Sequence, residues 1–445
     1  MSWAQEELRT IALGDRRLDA RSALLLEQLG KAPVDSIPTA CGSLAATLAA
    51  YRLLDHEHIT WESILAPHFQ RSLERAGEHR IVLALQDTTE LDFKGKTIEG
   101  LGPLSYEAQR GMYLHPAYLV SLEHEPLGVF DAYMWARELK GADGKRPGIL
   151  ESERWIEGYE RLAEQAAALP DTRLVYVADR EGDMIALPKR ALELGTPVDW
   201  LVRSSHNRKL AVPDAPKLWE DVLGETPLGE IRFHLGARHG VKARDVTQAL
   251  YAKRVALPCG KKGETIEVTC VIARELDPPP GMKRVEWRLL TNRLAGTLEE
   301  VGELIDWYRA RWEIEMFFNV LKNGCRVEAL QLASMRKIET ALALYMIVAW
   351  RINRLMRLGR TCPDLPADLV FETEEWQAAY VLNKKPIPEK VPTINDVVRH
   401  VARLGGFLAR KGDGEPGVKT IWIGMRRIGD CVEGMRVADQ IRPSG

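Results

Sequence analysis

Apolar residues recur at helical spacing from the start of the chain to about residue 70. Leu24, Leu25, Leu26 and Leu29 mark one stretch, and Leu44 to Leu54, behind Gly42-Ser43, marks a second. Ser43 offers a side-chain oxygen at the expected N-cap of the second helix, so a small helical module is predicted here. Near residue 80 the pattern shortens to strand-length runs. Ile81 to Leu85 is apolar throughout and leads through Gln86 into Asp87-Thr88-Thr89. Two further runs, Pro116 to Leu122 and Leu127 to Met134, flank His124-Glu125-Pro126 and predict a hairpin. Helical spacing returns around Glu151 to Ala168, and a fourth strand, Arg173 to Ala178, ends at Asp179.

Three strands, a helix, and a strand expected beside the first is the order of a ribonuclease-H-like core, an α/β arrangement. Residues 198 to 293 alternate apolar and polar positions between turn signals such as Pro213-Asp214 and Pro258-Cys259-Gly260, and predict an all-β insertion. One helix is expected from Leu298 to about Gly324. Another, from about Met335 to Leu358, is apolar on most sides and therefore expected to be buried. Gly359 to Pro392 carries several prolines and is expected to be a loop and linker. The tail from Thr393 is expected to be helical, with a break at Arg403 to Phe407. The organisation that follows is a helical domain over 1–70, a core domain over 71–375 holding the insertion, and a C-terminal helical domain over 376–445.

With 445 residues, 28% charged and 45% hydrophobic, the chain has room for several domains and falls outside the disordered class. No apolar run approaches a membrane span, and the N-terminus lacks the layout of a signal peptide. A cytoplasmic protein with no membrane partner is expected. The six cysteines are scattered without paired spacing, which points to reduced thiols rather than a zinc site. Net charge is −2, yet charge is segregated. Between residues 232 and 262, Arg232, Arg238, Lys242, Arg244, Lys253, Arg254, Lys261 and Lys262 face a single acid in sequence, Asp245. That stretch reads either as a phosphate footprint or as a solvated basic loop.

Asp87 and Asp179 stand just past strands expected to lie side by side, so their carboxylates are expected to converge above one sheet edge. Two or three carboxylates with few other ligands suit a hard divalent cation such as Mg²⁺, which takes oxygen ligands and keeps several waters. An aspartate after a strand is also a common turn former. A third carboxylate comes from the helix that carries Tyr308, Arg311, Glu315 and Lys322. On an unbroken helix these four fall within an arc of roughly 60° on an otherwise apolar surface. A polar strip on a largely buried helix needs partners. Either Arg311 and Glu315 pair with each other at i,i+4, or Glu315 binds a metal while Tyr308, Arg311 and Lys322 hold a DNA backbone.

The spacing of Tyr308, Arg311, Glu315 and Lys322 resembles the signature of the insertion-sequence-four family of bacterial DDE transposases. Asp87-Thr88-Thr89 resembles the family's first aspartate segment, and Asp179-Arg180-Glu181-Gly182-Asp183 its second. The likeness continues in order through Ala12 to Arg17, Leu201 to His206, Trp287 to Thr291 and Ala402 to Phe407, and so covers nearly the whole chain. It implies a cut-and-paste DNA transposase whose Asp87, Asp179 and Glu315 are the catalytic residues and the ligands of two Mg²⁺ ions, with Mn²⁺ able to substitute. Nicking of transposon ends, formation and opening of a DNA hairpin, and joining of 3′ ends to target DNA would all run by two-metal phosphoryl transfer.

The same resemblance implies a homodimer in a synaptic complex on double-stranded terminal repeats. The N-terminal domain would bind the ends and the C-terminal domain would dimerise. Trp287 matches the family's inserted tryptophan, and Trp312 is placed to assist by stacking; core packing is the alternative for both. Tyr308, Arg311, Lys322, Arg203, His206 and Arg208 are the implied backbone contacts, with strand-edge ion pairing the alternative for the last three. Arg180 is expected beside the carboxylates rather than on DNA. The final helix looks short for the family, and the N-terminal module resembles it more loosely than the core does. Two other functions fit less of the chain. A non-catalytic DNA-binding relative acting as a transposition inhibitor usually lacks the N-terminal module or a carboxylate, and both are present. A structure-selective nuclease would have no use for the hairpin tryptophan.

Overall fold

A computed structural model describes residues 2–147, 150–236, 242–260 and 263–441 and shows a mixed α/β protein. Helices α1 (Trp3–Glu7), α2 (Arg16–Lys31), α3 (Ile37–Cys41), α4 (Leu44–Asp55) and α5 (Trp61–Ala76) open the chain. Strands β1 (Ile81–Gln86), β2 (Thr89–Asp92), β3 (Gly102–Pro103), β4 (Arg110–Ser121) and β5 (Pro126–Trp135) follow. Then come α6 (Glu153–Ala166), β6 (Arg173–Ala178), α7 (Ala186–Glu193), β7 (Asp199–Arg203) and α8 (Leu218–Leu223). Strands β8 (Gly229–Leu235), β9 (Arg244–Pro258), β10 (Thr265–Glu275) and β11 (Glu286–Thr291) complete the β structure. Helices α9 (Leu298–Ala310), α10 (Trp312–Asn319), α11 (Met335–Thr361), α12 (Thr373–Leu382), α13 (Ile394–Leu404) and α14 (Val418–Ile441) end the chain. The ribonuclease-H-like class expected from the sequence is the one observed.

The chain forms two compact units: residues 1–76, 88–148 and 313–445 in one, residues 77–87 and 149–312 in the other. In the first, β4 pairs antiparallel with β2, β3 and β5, and the β4/β5 pair is the hairpin read from the sequence. Ser43 caps α4 as expected, accepting from the Ala46 N–H at 3.2 Å. Helix α11 is buried along most of its 27 residues and packs against α2, α5, α13 and β5. Helix α5 lies close on β5 at Gly128, whose φ of +147° and contact with Ser72 leave no room for a side chain; a Cβ there would stand 1.8 Å from Ser72 Oγ.

A buried ionic network fastens α1 into this unit. Arg75 donates to both carboxylate oxygens of Glu7, at 3.1 and 3.0 Å, and its guanidinium lies over Trp350. His68 Nδ1 stands 2.5 Å from Glu7, while Nε2 accepts the Val129 N–H at 3.0 Å. One ring nitrogen donating and the other accepting is the pattern of a neutral imidazole. Burial alone would raise the Glu7 carboxyl, but the hydrogen bond from His68 and the charge and hydrogen bonds of Arg75 hold it down to about 2. Burial lowers His68 against the pull of Glu7.

In the second unit the strands run in the order β1-β6-β7-β11-β10-β9-β8. β1, β6 and β7 are parallel, and the remaining neighbours are antiparallel. The expected insertion is therefore continuous with the core. Its first strand, β7, belongs to the parallel set, because Asp199 to Val202 pairs with Val175 to Ala178. The stretch is also not wholly β. Helix α8 forms because Leu218 and Val222, one turn apart, are buried against β9 and β10.

Two further expectations are corrected. The helix expected from Leu298 to Gly324 breaks at Arg311, which lies in a turn between α9 and α10, and ends in a π-helical turn over Val320–Gly324. The Cys325 N–H donates to Val320 O at 2.7 Å there. The expected linker contains α12, where Trp376, Ala378 and Ala379 are buried and Glu375 pairs with Arg351. Its prolines flank that helix instead of interrupting it. All six cysteines are free, and no helix among the described residues is long and apolar enough to cross a membrane.

Candidate active site

Parallel register sets up the site. Gln86 of β1 pairs with Ala178 of β6, and Ala178 pairs with Val202 of β7. The next residues are Asp87, Asp179 and Arg203, so two carboxylates and a guanidinium leave three adjacent strands at one level. Neighbouring strands lie about 4.8 Å apart, and the C-terminal edge of parallel strands is where open α/β sheets gather ligands. Burial of the strand interiors holds the backbone in place, and Asp87 and Asp179 stand half-buried where that burial ends. Asp179 also caps a single 3₁₀ turn, accepting from the Glu181 N–H at 2.8 Å. Gly182 fits in that turn because a Cβ would come within 2.8 Å of Ala178.

Arg311 donates to Asp87 Oδ2 at 2.5 Å, and the two side chains are only 13% and 15% exposed. Such a charge-assisted contact fixes the carboxylate's position. Glu315 lies in the first turn of α10, half-buried, and belongs to the other compact unit. Its neighbour Glu313 is buried and held by Arg357 and by His124 at 3.3 Å. The row thus brings two of the three expected carboxylates to one edge. Hard oxygen donors there suit a divalent cation that keeps most of its waters. Among the described residues, no group of three or more His, Cys, Asp or Glu is arranged to hold a metal ion.

The loop after β7 is tied to the turn after β6. Asp183, 5% exposed, accepts from the N–H groups of Ser205 and His206 at 2.6 and 2.9 Å and pairs with Arg208 at 2.6 Å. Arg208 also donates to the Asp183 carbonyl at 2.8 Å, so its charge is engaged in the fold. His206 reaches the same carboxylate at 3.2 Å while most of its ring is exposed. The Arg203 side chain has no hydrogen-bond or ion-pair partner among the described residues. Arg180 is exposed and its side chain makes no ion pair with a carboxylate among the described residues; Arg311 fills the place expected of it. Trp287 is half-buried on β11 and stacks on Phe233 of β8, with ring centroids 5.6 Å apart and planes 19° from parallel. Arg309 lies 5.2 Å from the Phe233 ring.

Three family models match the chain in order. The Transposase DNA-binding model matches residues 1–59, the Transposase DDE domain residues 229–351, and the Transposase Tn5 dimerisation domain residues 347–445. The chain belongs to the Tn5-like DDE transposases. In this transposase the DNA-binding match takes in α1 to α4, and the dimerisation match runs from within α11 to the end of the chain. The DDE match includes Glu315 and Lys322 and begins after Asp87 and Asp179, so sheet register carries the case for the two aspartates.

The transposase's remaining DNA-contact candidates divide by exposure. Trp312 is 62% exposed, so core packing does not account for it. Lys322, in the π-helical turn, is half-buried and has no ion-pair partner among the described residues. Tyr308 is 6% exposed. Among the described residues of the basic stretch, the three cations of β9 are paired with acids. Arg244 pairs with buried Glu275, Lys253 with Asp221 and Glu225 at 3.0 and 2.8 Å, and Arg254 with Glu267 at 3.7 Å. Its residues are basic along the chain but face acids from β10 and from α8 and the turn after it. Arg232 and Lys242 are exposed; Arg238, Lys261 and Lys262 lie outside the described residues.

Proposed function

We propose that this transposase nicks the ends of its own element, forms and opens a DNA hairpin at each, and joins the freed 3′ ends to target DNA. One site would do all four steps, since each exchanges oxygens at a phosphodiester. The observation that carries the reading is the register that sets Asp87 and Asp179 side by side at a parallel-strand edge. With Glu315 they would hold two divalent cations, Mg²⁺ by preference and Mn²⁺ as a substitute. Such ions, when bound, stabilise the attacking and leaving oxygens of an in-line displacement.

The chain's own residues supply the remainder. Arg311 restrains Asp87, and Arg203 and Lys322 offer cations to the DNA backbone, as would His206 and Arg208. A hairpin bends the backbone sharply, and an extruded base needs a new stacking partner. Trp312 offers an open indole face and Trp287 a second ring; base–aromatic stacking is worth about 1–3 kcal/mol, comparable with the cost of unstacking. Residues 1–70 would hold the terminal repeat, 71–375 would cut, and 376–445 would pair two chains in a synaptic complex. Its place of action would be the bacterial cytoplasm, on nucleoid DNA.

The test is to incubate the full chain and Mg²⁺ with duplexes carrying the element's ends and to resolve products on a denaturing gel. Nicked strands followed by hairpins are expected. Nicks without hairpins would remove the hairpin steps, and intact strands would overturn the reading.

A further inference from the structure

Two loops leave the strand-end row directly after Asp179 and Arg203, and one carboxylate joins them. Asp183 Oδ2 accepts the consecutive N–H groups of Ser205 and His206, and the Ser205 hydroxyl at 3.2 Å. Its other oxygen takes Arg208. The Ser205 hydroxyl also reaches the Arg180 carbonyl at 3.3 Å, a second stitch between the same loops. A carboxylate this buried is costly unless it is paired and hydrogen-bonded, and here Oδ2 takes three donors while Oδ1 faces the Arg208 guanidinium. The Ser204 N–H bond to the Arg288 carbonyl at 2.7 Å and the Asn207 contacts with α8 hold other parts of this loop, and the clamp ties Ser205 and His206 to the turn after Asp179.

We propose that Asp183 is a positioning residue for DNA: strand pairing sets the Arg203 backbone level with Asp179, and by holding Ser205 and His206 the Asp183 clamp keeps the Arg203 side chain, two residues earlier, in place at that edge. The inference rests on the transposase reading of this edge and adds to it a residue that touches no DNA. Asparagine in place of Asp183 would turn an amide NH₂ toward N–H donors, so at least one contact is lost while the side-chain volume stays the same. The loop then shifts, and the Arg203 side chain loses its support while its backbone stays paired with Leu289.

A double-mutant cycle of Asp183→Asn and Arg203→Ala in the full chain tests this, with a terminal-repeat duplex as the probe. Arg203→Ala should lower the slope of log affinity against log salt by about one phosphate contact. Asp183→Asn should lower it by the same amount, and the double variant should fall no further. Single-turnover cleavage should drop about a hundredfold in each single variant, with no added loss in the double. Arg232→Ala, an exposed cation on β8, should instead act independently of Asp183→Asn. A wild-type salt slope in Asp183→Asn, or additive losses with Arg203→Ala, would overturn the proposal. If the wild-type chain binds DNA but never cuts it, the proposed function fails and the salt slopes alone decide the role of Asp183. Should Asp183→Asn not fold by circular dichroism, Asp183→Glu, longer but equally charged, replaces it with the same two outcomes.

Discussion

Arg311 and Asp87 show how much a single contact decides at this edge. Both are nearly buried, so removing the cation leaves a carboxylate with less solvent to compensate it. Arg311→Ala should lower stability by about 2 kcal/mol, as for other hydrogen bonds to charged groups, read as a shift in the urea midpoint at unchanged slope. The two tryptophans separate in the same way. Trp312 is largely exposed, so Trp312→Ala should change stability by less than about 0.5 kcal/mol while lowering hairpin yield on a denaturing gel. A large loss of stability would return Trp312 to the core. At this scale the aspartates were legible, because each follows an apolar strand-length run. Trp312 was legible only with core packing left open beside stacking, since an indole among Ile314, Phe317 and Phe318 also reads as core. The partners of Asp183 and Lys253 were not legible, because the groups that meet them come from other strands and loops.

At the level of elements, long runs were legible and interruptions were not. The strands β1, β4, β5 and β6 and the helix α11 follow from period and length. The one-residue turn at Arg311 and the π-helical turn after Asn319 do not disturb apolar spacing enough to be seen. The crossing of α13 and α14 is another case. A Cβ on Gly424 would stand 2.0 Å from the Val401 carbonyl oxygen, and one on Gly405 would stand 1.9 Å from that of Thr420. Gly424→Ala should therefore force the helices apart, costing about 1–3 kcal/mol and weakening self-association measured by sedimentation. Unchanged association would show that the crossing is not needed for dimerisation.

Across the whole molecule, the order of elements could be read from the sequence but the compact units could not. Both units are assembled from separated stretches of chain, and periodicity says nothing about which stretches meet. The Glu7–His68–Arg75 network is one consequence, tying residues from α1 and α5 that no local pattern links. It also predicts acid sensitivity. His68 is held below its ordinary value, so its share of stability is present above about pH 6.5 and is lost as pH falls. Glu7 is depressed from 4.5 to about 2, so its share is present above 4.5 and is lost as pH falls through 2. Thermal melts from pH 7 to 4 should show a falling midpoint that His68→Gln flattens. Glu7→Gln, which leaves Arg75 buried without its counter-ion, should cost about 3–5 kcal/mol at neutral pH.

The account turns on Asp87 and Asp179 acting together at the end of β1 and β6. The most direct measurement is single-turnover cleavage of a terminal-repeat duplex with Mg²⁺ by Asp87→Ala and Asp179→Ala, with duplex affinity measured alongside. Cleavage should fall to background in both while affinity stays near that of the unaltered chain. Either variant cutting at the unaltered rate would contradict the account.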